Sequence, residues 1–165
     1  MSQLTLNAQL EAVTGLKRPA GIELATLTRY DIPALAALYL VAYDLPETAE
    51  NLFEAVDQTR MLFAGEFGCP LDNSFVGAWA EDGELVGAIF VTIGTPWEDD
   101  DDRPYILELM VHPDFRGRGI ASALVGEVGK RVGEAGYQDF GVRVDMRQAK
   151  NAASLFDLLG FREVK

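Results

Sequence analysis

Arg116-Gly117-Arg118-Gly119-Ile120-Ala121 sets two glycines and two guanidinium groups directly before a run in which Ile120, Leu124, Val128 and Val132 recur at helical spacing. The first amides of a helix have no partner within it and carry the positive end of its dipole, so this junction can hold an anion. Glycine there lets a bulky phosphate approach the backbone closely. The chain lacks the Gly-Lys-Ser/Thr ending of a P-loop and the full GxGxxG of a dinucleotide fold, which points to some other phosphate ligand. The plainer reading of the same residues is a tight turn made soluble by its arginines.

Other reactive side chains are few. His112 is the only histidine and Cys69 the only cysteine, so neither a Cys/His zinc cluster nor an intramolecular disulfide is available. No metal is expected, and a reducing cytoplasm fits that usage. Cys69 has no cationic neighbour in sequence to activate it and reads as an inert thiol; His112 reads as a loop residue. Twenty-six acidic residues against fourteen basic ones give a net charge of −12, which repels phosphate backbones and attracts cations, so nucleic acid is a poor partner. Neither a signal-peptide pattern nor an 18-residue apolar run occurs, so no membrane is expected. With 165 residues, 48% hydrophobic and 24% charged, the prior is one globular domain.

The elements that must position these residues follow from periodicity and turn signals. Residues 1–20 read as an N-terminal extension of uncertain structure ending in Lys17-Arg18-Pro19-Ala20-Gly21, ahead of a single domain over 21–165. A strand is expected over 22–27. Asp31 then caps a helix with Pro33 in its first turn and Leu35, Leu38, Tyr39 and Ala42 on one face, ending near Pro46. A second helix is expected from about Thr48, through Leu52, Ala55, Val56, Thr59 and Phe63, to just before Gly65. Strands over 74–80 and 84–93 flank Asp82-Gly83, a hairpin signal, and the acidic run 98–102 suits a solvated loop.

A strand over 106–112 leads into the helix 119–136, where Gly126, Gly129 and Gly133 each weaken it by up to ~1 kcal/mol and predict close packing on a sheet. A strand over 139–145, a helix over 149–159 with Gly160 as its C-cap, and a short strand from Phe161 complete the order. The class is α/β (α+β): a mixed, mainly antiparallel central sheet with helices on both faces.

The segment from Ile106 to Ala121 resembles the acetyl-CoA signature of the GNAT superfamily of N-acyltransferases. There, a strand ending in Leu-x-Val-x-Pro runs into Arg/Gln-x-x-Gly-x-Gly/Ala. Arg116, Gly119 and Ala121 occupy the defining positions, and the similarity extends to Phe161, with compatible element order from Ile22 onward. The resemblance implies acetyl-CoA, or another acyl-CoA, as cosubstrate. Backbone amides of Arg116, Gly117, Arg118, Gly119, Ile120, Ala121 and Ser122 would hold its pyrophosphate without a metal. It implies further that the strand through Leu109, Met110 and Val111 bulges and splays from the strand at 142–144, exposing main-chain groups to pantetheine. The Leu109 main chain would meet the oxyanion; one comparable donor elsewhere contributes about 3–4 kcal/mol. The nucleophile is then the substrate's amine, which needs a base. Glu108, on the face opposite Leu109, is the candidate, against the plainer reading of an exposed strand glutamate.

The chain also departs from that family. Members usually end Asn-x-x-Ala-x-x-Leu-Tyr-x-x-x-Gly-Phe, whereas this one has Ala149-x-x-Ala152-x-x-Leu155-Phe156-x-x-x-Gly160-Phe161, with Asn151 displaced by two positions. Asn151 and Phe156 fall where the resemblance implies cofactor contacts, and Phe156 lacks the hydroxyl usually assigned to the departing thiolate. After its Gly-Phe the chain has residues for one short strand rather than two, so residues 1–20 or a partner subunit, as in a homodimer, should cover that edge. The expected function is an N-acetyltransferase moving an acetyl group from CoA to a primary amine by direct attack in a ternary complex. The acidity favours a cationic small-molecule or peptide acceptor. The alternative is a non-catalytic acyl-CoA sensor or interaction module that kept the cradle and lost the chemistry.

Overall fold

The computed structural model describes residues 3–9, 19–42, 52–66, 69–71, 73–93, 104–145 and 162–163. Within them the chain runs β1 (Gln3–Gln9), β2 (Ile22–Thr26), α1 (Ile32–Ala42), α2 (Leu52–Phe63), β3 (Cys69–Pro70), β4 (Val76–Ala80), β5 (Leu85–Ile93), β6 (Pro104–Val111), α3 (Ile120–Glu134), β7 (Asp139–Asp145) and β8 (Arg162–Glu163). The eight strands form one sheet in the order β2-β4-β5-β6-β7-β1-β8, with β3 on β5. Every pairing is antiparallel except β6 with β7, giving the expected mixed, mainly antiparallel sheet.

Asp82-Gly83 turns the chain between β4 and β5 as its residue types predict. Gly83 has φ 89° and donates its N–H to Ala80 O (2.9 Å), while Asp82 Oδ1 accepts from Glu84 N–H (2.9 Å). β5 is apolar apart from the buried Thr92, and both its faces are covered. Ile89 and Val91 pack with Leu124, Val128 and Val132 of α3, while Ala88 and Phe90 pack with Leu35 and Leu38 of α1 and Leu62 of α2. Edge-on contacts of Phe75 with Phe63 (5.3 Å between centroids) and with Phe90 (4.6 Å) tie α2 to the sheet.

Several boundaries depart from the sequence reading for local reasons. Thr28, not Asp31, starts the first helical segment: its Oγ1 accepts from Tyr30 N–H (3.2 Å), and the Asp31 carboxylate accepts from Thr28 N–H (2.8 Å), closing a capping box over a single turn before α1. β4 begins at Val76 because Ser74 belongs to a turn, its N–H donating to Leu71 O (3.1 Å) and its hydroxyl proton shared between Leu71 O (2.6 Å) and Val91 O (3.0 Å). Gly126 and Gly129 are buried, whereas Gly133 is exposed. The acidic run 98–102 and the helix expected over 149–159 lie outside the described residues.

The segment 1–20 contributes a strand. β1 runs antiparallel along β7 from Gln3 opposite Asp145 to Gln9 opposite Asp139, and β8 pairs with β1 at Leu6 and Asn7. The far edge of β7 is therefore covered from within the chain.

Candidate functional site

β6 holds its two neighbours unequally. Its ladder to β5 runs from Pro104 opposite Ile93 to Val111 opposite Gly87, but its ladder to β7 consists of Tyr105 with Gly141 and Ile106 with Val142. Just past those pairs the register slips, with Ile106 opposite Val91 and Glu108 opposite Phe90, so Leu107 is an extra residue that bends the strand. The bulge expected at Leu109, Met110 and Val111 thus falls at Leu107 instead, because those three residues pair regularly with Ile89, Ala88 and Gly87 of β5. Beyond Ile106 a wedge opens, with residues 107–111 on one side and 143–145 on the other.

Antiparallel pairing decides which main-chain groups face that wedge. His112 N–H donates to Val86 O (2.8 Å), one step beyond the pair of Gly87 with Val111. Since residues of such a ladder alternate, Leu109 and Val111 point their amides and carbonyls away from β5. The Val111 carbonyl is met on that side by Arg116 Nε (3.3 Å).

The chain then turns at His112, whose Nδ1 accepts from Asp114 N–H (3.1 Å) and opens the single turn Pro113–Phe115. An accepting Nδ1 places the ring proton on Nε2, which lies 3.9 Å from the Glu84 carboxylate. His112 lies in the loop, as read from the sequence, and caps the turn that precedes the glycines.

Gly117 (φ 79°) and Gly119 (φ 85°) are both left-handed, and a Cβ at either would meet nothing within 4 Å. The backbone there is bare on its outer side. Gly119 caps α3 with no side-chain hydrogen bond, and Ala123 N–H to Gly119 O (3.0 Å) closes the first turn, which leaves the amides of Ile120, Ala121 and Ser122 ahead of the helical ladder. Arg118 lies over the Phe115 ring, 4.9 Å from its centroid. Arg116 is committed elsewhere: its Nη2 donates to Ala42 O (2.8 Å), the last residue of α1.

Gly87 seats this helix start, and sequence reasoning missed it. A Cβ there would stand 2.9 Å from Ile120 Cγ2 and 3.1 Å from Leu124 Cδ1, so the absence of a side chain lets the start of α3 lie this close to β5. The available signal was a glycine inside an otherwise apolar strand.

On the opposite face a cavity of about 240 Å³ is lined by Tyr39 of α1, Gln58, Thr59 and Leu62 of α2, Phe90 of β5, and Leu107, Glu108 and Met110 of β6. The bulge turns Leu107 and Glu108 to the same face, where strict alternation would separate them. Glu108 is half-buried there, and Leu109 packs on the α3 side as expected. Thr59 is buried, its hydroxyl donating to Ala55 O (2.8 Å). Cys69 is exposed on the short β3, among different residues from those of this cavity.

Asn151 and Phe156 lie outside the described residues. Among the described residues, no group of His, Cys, Asp and Glu could hold a metal ion, and no helix is long and apolar enough to cross a membrane.

A comparison with curated proteins gives no match. Among solved structures, the chain is similar to a GCN5-related N-acetyltransferase from Sphaerobacter thermophilus, with a TM-score of 0.74 and 20% identity over 98% of this chain and 48% of that one. It is similar also to the aminoglycoside 6'-N-acetyltransferase AAC(6')-Ih from Acinetobacter baumannii (TM-score 0.66, 15% identity, 88% of this chain and 93% of that one). A third is the ribosomal-protein-S18-alanine N-acetyltransferase from Escherichia coli (TM-score 0.64, 16% identity, 87% and 79%). This chain spans about half the length of the Sphaerobacter protein. At such identities the likeness is one of fold. Residues 36–161, which include the wedge, the glycine turn and the cavity, match the acetyltransferase (GNAT) family, and to that family the chain belongs.

Proposed function

We propose that the protein is an acyl-CoA-dependent N-acyltransferase that moves an acetyl group to a primary amine, by direct attack within a ternary complex. The observation that carries this reading is the wedge between β6 and β7, which opens beside a helix start whose backbone is bare. The left-handed glycines and uncapped amides fit a pyrophosphate, since both charge and close approach are provided by main chain. Arg116 is committed on both counts, its guanidinium to Ala42 and Val111 and its amide to Pro113 O (3.5 Å), so it would hold the turn in place while the amides at the start of α3 meet the phosphates. The acyl-CoA supplies an activated acyl group as a thioester.

In this reading the main chain of residues 109–111 lines the pantetheine arm. The Leu109 amide, pointing away from β5, donates to the oxygen on which charge develops as the amine attacks. Glu108 takes the proton that the amine must lose, directly or through a water. A bond from nitrogen to the acyl carbon forms, the carbon–sulfur bond breaks, and the proton still in excess on the nitrogen of the tetrahedral adduct passes to solvent. With no hydroxyl on Phe156, the thiolate leaves as such and is protonated by solvent, which a thiol pKa near ~8.5 permits.

The test is free-thiol release from acetyl-CoA in the presence of a panel of primary amines. Amine-dependent steady release is expected; CoA binding with no release for any amine would make the protein a sensor. Gly119→Val should weaken CoA binding by about tenfold or more, as measured by calorimetry on a variant whose circular dichroism is native, because the new side chain occupies the phosphate's side of the turn. Unchanged affinity in the folded variant would remove the cradle.

A further inference from the structure

We infer that the acceptor is a primary monoamine with a compact apolar body, an arylalkyl or branched alkyl amine, rather than a polycation. The inference rests on the acyltransferase reading and adds the acceptor class, and its basis is the cavity on the α1–α2 face. Among the described residues lining it, Glu108 is the one carboxylate and there is no basic side chain, while Leu62, Phe90, Leu107 and Met110 make half of the eight. Among those residues one ammonium group finds one carboxylate. A second ammonium either would be desolvated against those apolar walls, or would stay outside and leave them wet. The overall charge of −12 concentrates cations near the surface without choosing among them, whereas the cavity lining does choose.

Size agrees with this. An apolar cavity of ~150 Å³ accepts a benzene ring. The cavity of about 240 Å³ therefore holds a ring and a two-carbon arm, with the amine directed at Glu108. It is too small to enclose an aminoglycoside, whose hydroxyls would in any case have Gln58, Thr59 and Tyr39 as their only polar side-chain partners besides Glu108 among the described lining residues.

The experiment compares kcat/KM for 2-phenylethylamine and 3-methylbutylamine with that for spermidine and 1,4-diaminobutane, with salt at about 0.15 M to screen the surface charge. We expect 2-phenylethylamine to exceed spermidine by about tenfold or more; equality or the reverse order overturns the inference. Gln58→Glu adds a second carboxylate to the cavity at constant size and should narrow the gap between 2-phenylethylamine and 1,4-diaminobutane by about tenfold. An unchanged ratio would mean that the amine binds elsewhere. Calorimetry of the same amines on the intact protein separates the two levels of the argument. If nothing is acetylated but 2-phenylethylamine binds more tightly than spermidine, the cavity's preference stands and the transfer reading fails. If spermidine binds as well or better, or neither binds, the preference itself is wrong.

Discussion

Glu108 and Leu109 are neighbours in sequence that serve opposite faces of the sheet. Glu108 shares a face with Phe90 and enters the cavity, while the Leu109 side chain packs toward α3 and frees its amide for the wedge. The base and the oxyanion donor proposed above, being adjacent residues, would need no loop to bring them together. Glu108→Gln keeps the volume and removes the proton acceptor, so turnover should fall about a hundredfold near pH 7, where an alkylamine with a pKa near ~10 is almost all protonated. The deficit should shrink toward pH 10, where the free amine is abundant, with CoA affinity unchanged throughout. Initial rates across that pH range decide the matter, and a variant profile matching wild type would return Glu108 to an ordinary strand glutamate. The glycine turn was legible in the sequence because left-handed backbone leaves a local mark, Gly117 and Gly119 two residues apart. The partner of Arg116 was not, since Ala42 lies 74 residues away and offers only a carbonyl.

The first turn of α3 owes its position to an absence on β5. Gly87→Val would drive Ile120 and Leu124 outward, and overpacking of this kind costs about 1–3 kcal/mol. We expect a lower urea midpoint together with weaker CoA binding, because the displaced turn carries the amides proposed to meet the pyrophosphate. A loss of stability with native CoA affinity would show that the helix start is held by something other than its seat. Among the elements, the hairpin, β7 and α3 were legible because turn chemistry and periodicity are local. β1 was passed over although Leu4, Leu6 and Ala8 alternate with Gln3, Thr5, Asn7 and Gln9, a strand signal that seven residues carry weakly without a partner in view. The bulge at Leu107 had no sequence mark at all, since it is set by how β6 fits β5.

At the scale of the molecule, the sheet is closed on the β7 side by residues from the other end of the sequence. Deleting residues 1–9 should expose the outer edge of β7, lower the thermal midpoint by several degrees and promote self-association in sedimentation. A stable monomer after that deletion would mean that β1 is an accessory. The pairing also has a consequence in time. Gln9 and its partner Asp139 are about 130 residues apart, so on a ribosome adding about 5–20 residues per second the first strand waits roughly 7–26 s for its neighbour to be synthesised. Through that interval its amides have only water or a wrong strand to bond, and hairpins such as β4–β5 form about a million times faster. The outer wall of the wedge is thus finished late, and a nascent chain already holding its glycine turn must still recover β1 before β7 is paired on its outer edge.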